Sequence, residues 1–141
     1  MALTQALCTS YKKELLAGTH VSSDTYMIAL YTSGATMDKT TTVYSSSFEV
    51  ANGNGYATGG IAMSGFTTDS DVGGVAWVDW TVDPAWPTAT ITARGALIYN
   101  STRANKAVAV LDFGADKTST SGTFTVVLPV GDKDNAIIRL T

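Results

Sequence analysis

The chain reads as mainly β, an antiparallel β-sandwich or jelly-roll-like domain carrying one N-terminal amphipathic helix. Three observations lead there. Runs rich in Val, Ile, Thr and aromatic residues recur about every eight to fifteen residues with Gly, Asn, Asp or Ser between them, the rhythm of a small sandwich. The arm 90–99 begins by alternating Thr with apolar residues and ends in the apolar run 96–99, and with 107–111 such runs suit strands covered on both faces. The polar loop Asn100-Ser101-Thr102-Arg103-Ala104-Asn105-Lys106 joins those two arms into a central hairpin. Helical periodicity is confined to one segment near the N-terminus.

That segment is residues 3–17. Leu3, Leu7, Tyr11 and Leu15 repeat every four residues, Ala6 and Leu16 widen the stripe, Thr4 is placed to cap the start and Gly18 to supply a left-handed C-cap. The stripe is expected to cover the domain's own core, the alternative being a neighbouring subunit. Residues 25–32 follow as an inner strand, with Tyr26, Ile28 and Leu30 on one face and Met27, Ala29 and Tyr31 on the other. From 33 to 56 Gly, Thr, Ser and Asn dominate, with a short strand at 41–44. Little in that excursion asks to be buried, so it is the first candidate for an intersubunit arm, and its removal from 45 to 54 is expected to leave the fold intact.

A strand resumes at 59–63, and residues 66–74 read as a polar turn. Residues 75–82 alternate with period two, which puts Ala76, Val78, Trp80 and Val82 in the core and turns Trp77 and Asp79 outward. Asp83-Pro84-Ala85-Trp86-Pro87 ends that strand, because each proline removes a donor from a ladder. Beyond the central hairpin, 114–122 form a turn, 123–130 a strand with Phe124, Val126, Leu128 and Val130 inward, and 136–140 the last strand. The sandwich therefore spans about residues 25–141 of a single domain.

With 141 residues the chain can bury roughly 70% of the surface it exposes unfolded, so neither a metal nor a disulfide is needed for folding. Only 15% of its residues are charged, against an average of about 25%. A surface so poor in charge suits a protein that lives against other proteins, and equally a robust secreted β domain. The net charge is −3 and the nine Lys and Arg are scattered, which argues against direct nucleic-acid or anionic-membrane binding. Cys8 is the single cysteine and is expected to be a buried, inert thiol. No run approaches the roughly 18 apolar residues of a membrane span, and the N-terminus lacks the apolar core of a signal peptide. The expected location is the cytoplasm or an assembly built there.

Catalytic constellations are weak. A nucleophile triad needs a histidine, and the only one, His20, has no G-x-S-x-G elbow to serve. One His and one Cys do not make a zinc site. The pairs Asp69 and Asp71, Asp79 and Asp83, Asp112 and Asp116, and Asp132 and Asp134 suit Ca²⁺ or glycosidase chemistry only loosely, since aspartates commonly close turns. Gly53-Asn54-Gly55 lacks the spacing of a phosphate loop. No catalytic, cofactor or metal residue is assigned, and no enzyme activity is expected.

Several stretches, ALTQALCTSYKKELLAG, YMIALYTSGATM, NGYATGG, ATITARGALIYNSTRANKAVAVLDFGADKTSTSGTFTV and the closing NAIIRL, resemble a family of small virion structural proteins of tailed bacteriophages. The resemblance spans nearly the whole chain and carries no catalytic motif. It implies a capsid decoration, or cement, protein that binds the outside of the major capsid lattice, with neck, tail or fibre attachment as the alternative. A glycan-binding or host-interaction module is the third reading. The implied partners are the major capsid protein or other virion proteins, with homo-oligomer or lattice contacts. The expected contact residues are Phe48, Asn52, Asn54 and Tyr56 in the long excursion, Trp77, and Asn100, Arg103, Asn105 and Lys106 at the hairpin tip. Exposed aromatics anchor interfaces and rim cations set register.

Overall fold

The computed structural model describes residues 2–141. The fold is mainly β, as expected of the sandwich class, with two antiparallel sheets and one α-helix near the N-terminus. The chain divides into two compact units. The larger comprises the chain up to Ala62 together with Trp86–Phe124, and the smaller comprises Met63–Ala85 with Thr125–Thr141.

The larger unit is built on a five-stranded sheet in the order β1-β7-β6-β2-β3. The strands are β1 (Ala6–Leu7), β2 (Tyr26–Tyr31), β3 (Ile61–Ala62), β6 (Ala85–Asn100) and β7 (Lys106–Thr125). β2 lies antiparallel to β6 from Tyr26 opposite Asn100 to Tyr31 opposite Gly95. Ile28, Ala29 and Leu30 of β2 and Ala96, Leu97 and Ile98 of β6 are all fully buried, so the two-faced apolar runs mark inner strands as the sequence suggests. At Gly95 a β-carbon would press on the Leu111 carbonyl and on Leu3, so only glycine permits the close packing there.

The N-terminus departs from the helical reading. The helix α1 covers only Thr9–Leu16, while Ala6 and Leu7 pair with Val110 and Ala109 of β7 and Leu3 bridges to Met37. Edge pairing on β7 satisfies backbone groups and buries Leu3 at the same time, which outweighs the helix propensity of the first residues. Cys8 stands at the N-cap instead of Thr4, without a side-chain cap bond. It is buried as expected, and burial first, then the charges of Asp38 and Glu14, push its thiol up to about 11. The C-terminal end follows expectation: Gly18 has φ +75, its N–H donates to Leu15 O, and the Thr19 N–H reaches Glu14 O, a Schellman closure. Tyr11 is the helical residue that goes inside, and Leu16 stays exposed rather than widening the stripe.

The central hairpin is longer than its apolar runs. β6 has 16 residues and β7 has 20, so the segments read as a turn at 114–122 and a separate strand at 123–130 are a continuous strand as far as Thr125. The Thr and Ser residues of that stretch suit an extended backbone. Positive φ at Gly114 and Ser121 marks where the longer arm departs from the regular ladder. The strand before Asp83 does end there as expected, at Trp80, but the next strand, β6, starts at once at Ala85, runs through Pro87 and buries Trp86. Trp86 packs against Tyr56 and Phe124 at ring distances of 6.0 and 6.1 Å.

The smaller unit carries a three-stranded sheet, β4 (Phe66–Ser70), β5 (Ala76–Trp80) and β8 (Ile138–Leu140), in that order. Residues 66–70, read as turn, form a strand because Phe66 sets its ring edge-on to Trp80 at 5.7 Å and the intervening turn closes at Asp71 to Val75. The faces of β5 also differ from the period-two reading. Asp79 and Trp80 are both buried while Ala76 and Val82 are exposed, so burial here increases along the strand instead of alternating across it.

Candidate functional site

The long segment between β2 and β3 is bolted to the sheet rather than free. Its anchor is Glu49, whose carboxylate accepts the Tyr44 hydroxyl on Oε2 and the Tyr56 hydroxyl and Gly59 N–H on Oε1, each at 2.6 Å. Tyr56 Oη accepts the Leu30 N–H at 2.9 Å, which connects the cluster to β2, and Tyr99 donates to the Gly59 carbonyl at 2.7 Å. Tyr44 stacks on Tyr99 with ring centroids 4.5 Å apart. Burial, reinforced by Glu49, pushes the Tyr44 and Tyr56 hydroxyls well above the usual tyrosine range, so both remain donors. Ala35, Met37, Val50 and Tyr56 are buried. The expectation that this excursion has little to bury is therefore corrected.

Phe48 protrudes from this anchored segment. It is 55% exposed and has φ +61, a conformation that costs a bulky side chain about 1–3 kcal/mol. Two hydrogen bonds hold it there, the Thr32 N–H and the Thr32 hydroxyl both donating to its carbonyl at 2.9 and 3.0 Å. Its ring lies on Gly34, where a β-carbon would stand 2.6 Å from Cδ1. Beside the ring is a half-open cavity of about 270 Å³ whose walls include Tyr31, Met37 and Val43.

A second polar cluster sits at the hairpin tip. Asn100 is fully buried and caps the 3₁₀ turn Ser101–Arg103, its Oδ1 accepting the N–H groups of Thr102 and Arg103. That fixes its amide orientation, so Nδ2 donates to Asp24 Oδ2 at 2.8 Å and to His20 Nδ1 at 3.0 Å. His20 then carries its proton on Nε2 and donates to Glu14 at 3.3 Å. Lys106 pairs with Glu14 at 3.0 Å, and Arg103 with Asp24 at 2.9 Å. The Arg103 guanidinium, then the Asn100 amide, hold the Asp24 carboxyl down at about 2.

The predicted contact residues thus separate. Phe48, Asn52, Asn54 and Asn105 are exposed, although Asn52 also accepts the Thr58 N–H and Asn54 lends its carbonyl to Thr90. Tyr56 and Asn100 are buried and satisfied within the chain. Arg103 and Lys106 reach internal carboxylates, with side chains 40% exposed. Trp77 is half-buried, and Gly131 lies against its ring. Sequence reasoning missed the Glu49 anchor. Its signal was present: Glu49 is the only Asp, Glu, Lys or Arg between Lys39 and Asp69, in a stretch that also holds Tyr44 and Tyr56.

In the smaller unit Asp79 is 1% exposed. One carboxylate oxygen accepts the Trp80 N–H at 2.8 Å and the other has no hydrogen-bond partner. Burial raises its pKa, with Asp132 and Asp83 adding to the effect against the Trp80 and Ile137 amides. Around this core, Val72, Val82, Val127, Val130 and Leu140 are all exposed. No group of three His, Cys, Asp or Glu residues suited to a metal occurs among the described residues. Compared with known families, characterised proteins and solved structures, the chain shows no significant match.

Proposed function

We propose that the chain is a bacteriophage virion structural protein, a decoration or cement protein that docks on the outside of the major capsid lattice. The observation that carries this reading is the distribution of exposed apolar side chains. Among the described residues, five of the nine large hydrophobic side chains with high exposure belong to the smaller unit. Exposed apolar side chains so frequent in one small unit favour a protein partner, because covering them removes them from water. A charge-poor surface adds to the argument, since few ions need be stripped of water on docking. A specific contact of this kind buries about 800 Å² per partner.

In this reading the smaller unit offers Val72, Val82, Val127 and Val130 as contacts; Arg103 and Lys106 of the larger unit are expected to contribute little, because each is already paired within the chain. The test mixes the purified protein with capsids of a phage lacking it and images the particles by electron microscopy. Regular density over the shell is the expected result. Density at one vertex or on the tail alone replaces the cement role with a neck, tail or fibre role, and bare particles refute the virion reading. Val127→Asp and Val130→Asp, both on exposed positions, should weaken particle binding at least tenfold while leaving the fold unchanged.

A further inference from the structure

We propose that the cavity beside Phe48 receives one uncharged aromatic side chain presented by a partner protein. The inference deepens the docking reading and rests on it for the identity of the partner.

Size is the first argument. A dry apolar cavity of about 150 Å³ already takes up benzene, and the space here is about 270 Å³, room for an indole. Charge is the second. None of the lining residues is ionised at neutral pH, so a Lys, Arg, Asp or Glu side chain entering it would lose water without gaining a counter-charge. The walls suit an aromatic guest: the exposed ring of Phe48 offers stacking and edge contacts and Val43 an apolar side over the buried Tyr31 and Met37, while Thr41 and Ser45 add polar groups for a phenol or indole N–H.

The backbone at Phe48 points the same way. At φ +61 glycine would be the relaxed choice, yet the position holds phenylalanine with its ring half in solvent at the cavity edge. Packing of the ring on Gly34 offsets part of that cost, but it does not account for the half of the ring left in solvent. A ring needed as one wall of a receptor does, and strain kept at such a site is a usual mark of function. The Glu49 anchor next to it keeps the wall rigid before any guest arrives, so little order need be gained on binding.

The test titrates the full chain, labelled with ¹⁵N, with N-acetyl-tryptophanamide, with indole and with N-acetyl-lysinamide. The expected result is saturable shifts at Val43, Ser45 and Phe48 with the tryptophan amide and none with the lysine amide. Phe48→Gly should weaken this binding at least tenfold without lowering the melting temperature, because it relieves the backbone. Val43→Asp, at an exposed position opposite Lys106, should weaken it as much by bringing charge to the wall. The inference is overturned by the absence of saturable shifts, by equal binding of the lysine amide, by binding of indole alone, or by a Phe48→Gly protein that melts lower and binds unchanged. Decorated particles together with a failed titration remove this inference and leave the docking reading. Bare particles with a successful titration remove the virion partner and leave the aromatic receptor.

Discussion

Replacing Glu49 tests whether the segment before β3 is part of the core. Its carboxylate accepts three hydrogen bonds of 2.6 Å, and bonds to a charged acceptor contribute about 1.5–3 kcal/mol each. In Glu49→Ala the Tyr44 hydroxyl can turn towards water, whereas the buried Tyr56 hydroxyl and the Gly59 N–H lose their acceptor. Two such losses amount to about 3–6 kcal/mol, a large share of the roughly 5–15 kcal/mol that holds a domain together. Glu49→Gln keeps an Oε1 for Tyr56 and Gly59 and sets an amide against Tyr44, which can rotate to accept, so about 1 kcal/mol is expected. In urea, with a slope near 2 kcal/mol per molar, the alanine variant should unfold about 2 M earlier and the glutamine variant about 0.5 M earlier. Equal shifts below about 0.5 M for both would refute the assignment of Glu49 as the anchor.

Other perturbations follow from the same contacts. Asp24 has its folded pKa held down at about 2, so its contribution is present above the ordinary carboxylate pKa and lost as pH falls from about 4 towards 2; Asp24→Asn should cost about 1–2 kcal/mol at pH 7 and flatten the acid limb of a melting-temperature profile. Asp79 has the opposite sign, its raised pKa meaning stability present at low pH and lost as pH rises through the folded value. Asp79→Asn should therefore raise the pH 7 melting temperature and leave that near pH 3 little changed. Gly60→Ala, at φ +79 with its new methyl driven into the Ile28 carbonyl, should destabilise by about 3 kcal/mol in chemical denaturation.

The sequence was most legible where one force acted alone. The runs YMIAL and ALIY gave inner strands because burial on both faces leaves no other pattern, and Gly18 gave the helix end because few residues accept its φ. Legibility failed where a distant partner decided. Ala6 and Leu7 carry a helical stripe, yet an open edge more than a hundred residues away draws them into a sheet. The stretch from Gly114 to Gly122 looks like a turn, but its neighbour across the hairpin extends it as strand. Of the candidate site, Phe48 was visible as an exposed aromatic, whereas its cavity, lined wholly by residues between Tyr31 and Phe48, depends on how an irregular segment folds back on itself, which no periodicity encodes. The internal pairing of Arg103 and Lys106 was hidden because Asp24 and Glu14 lie near the opposite end of the sequence.

The pairing of β1 with β7 also sets a schedule for synthesis. Ala6 meets Val110, and at roughly 5–20 residues per second the ribosome takes several seconds to add the residues between them. During that interval Ala6 and Leu7 have no ladder to join, and they are free to visit the helix that their own periodicity favours. The β1 segment is thus made early and fastened only once β7 is complete. A ribosome stalled before Lys106 should display a nascent chain whose first residues are open to protease, and one stalled far enough beyond Leu111 for that strand to clear the exit tunnel should display them protected.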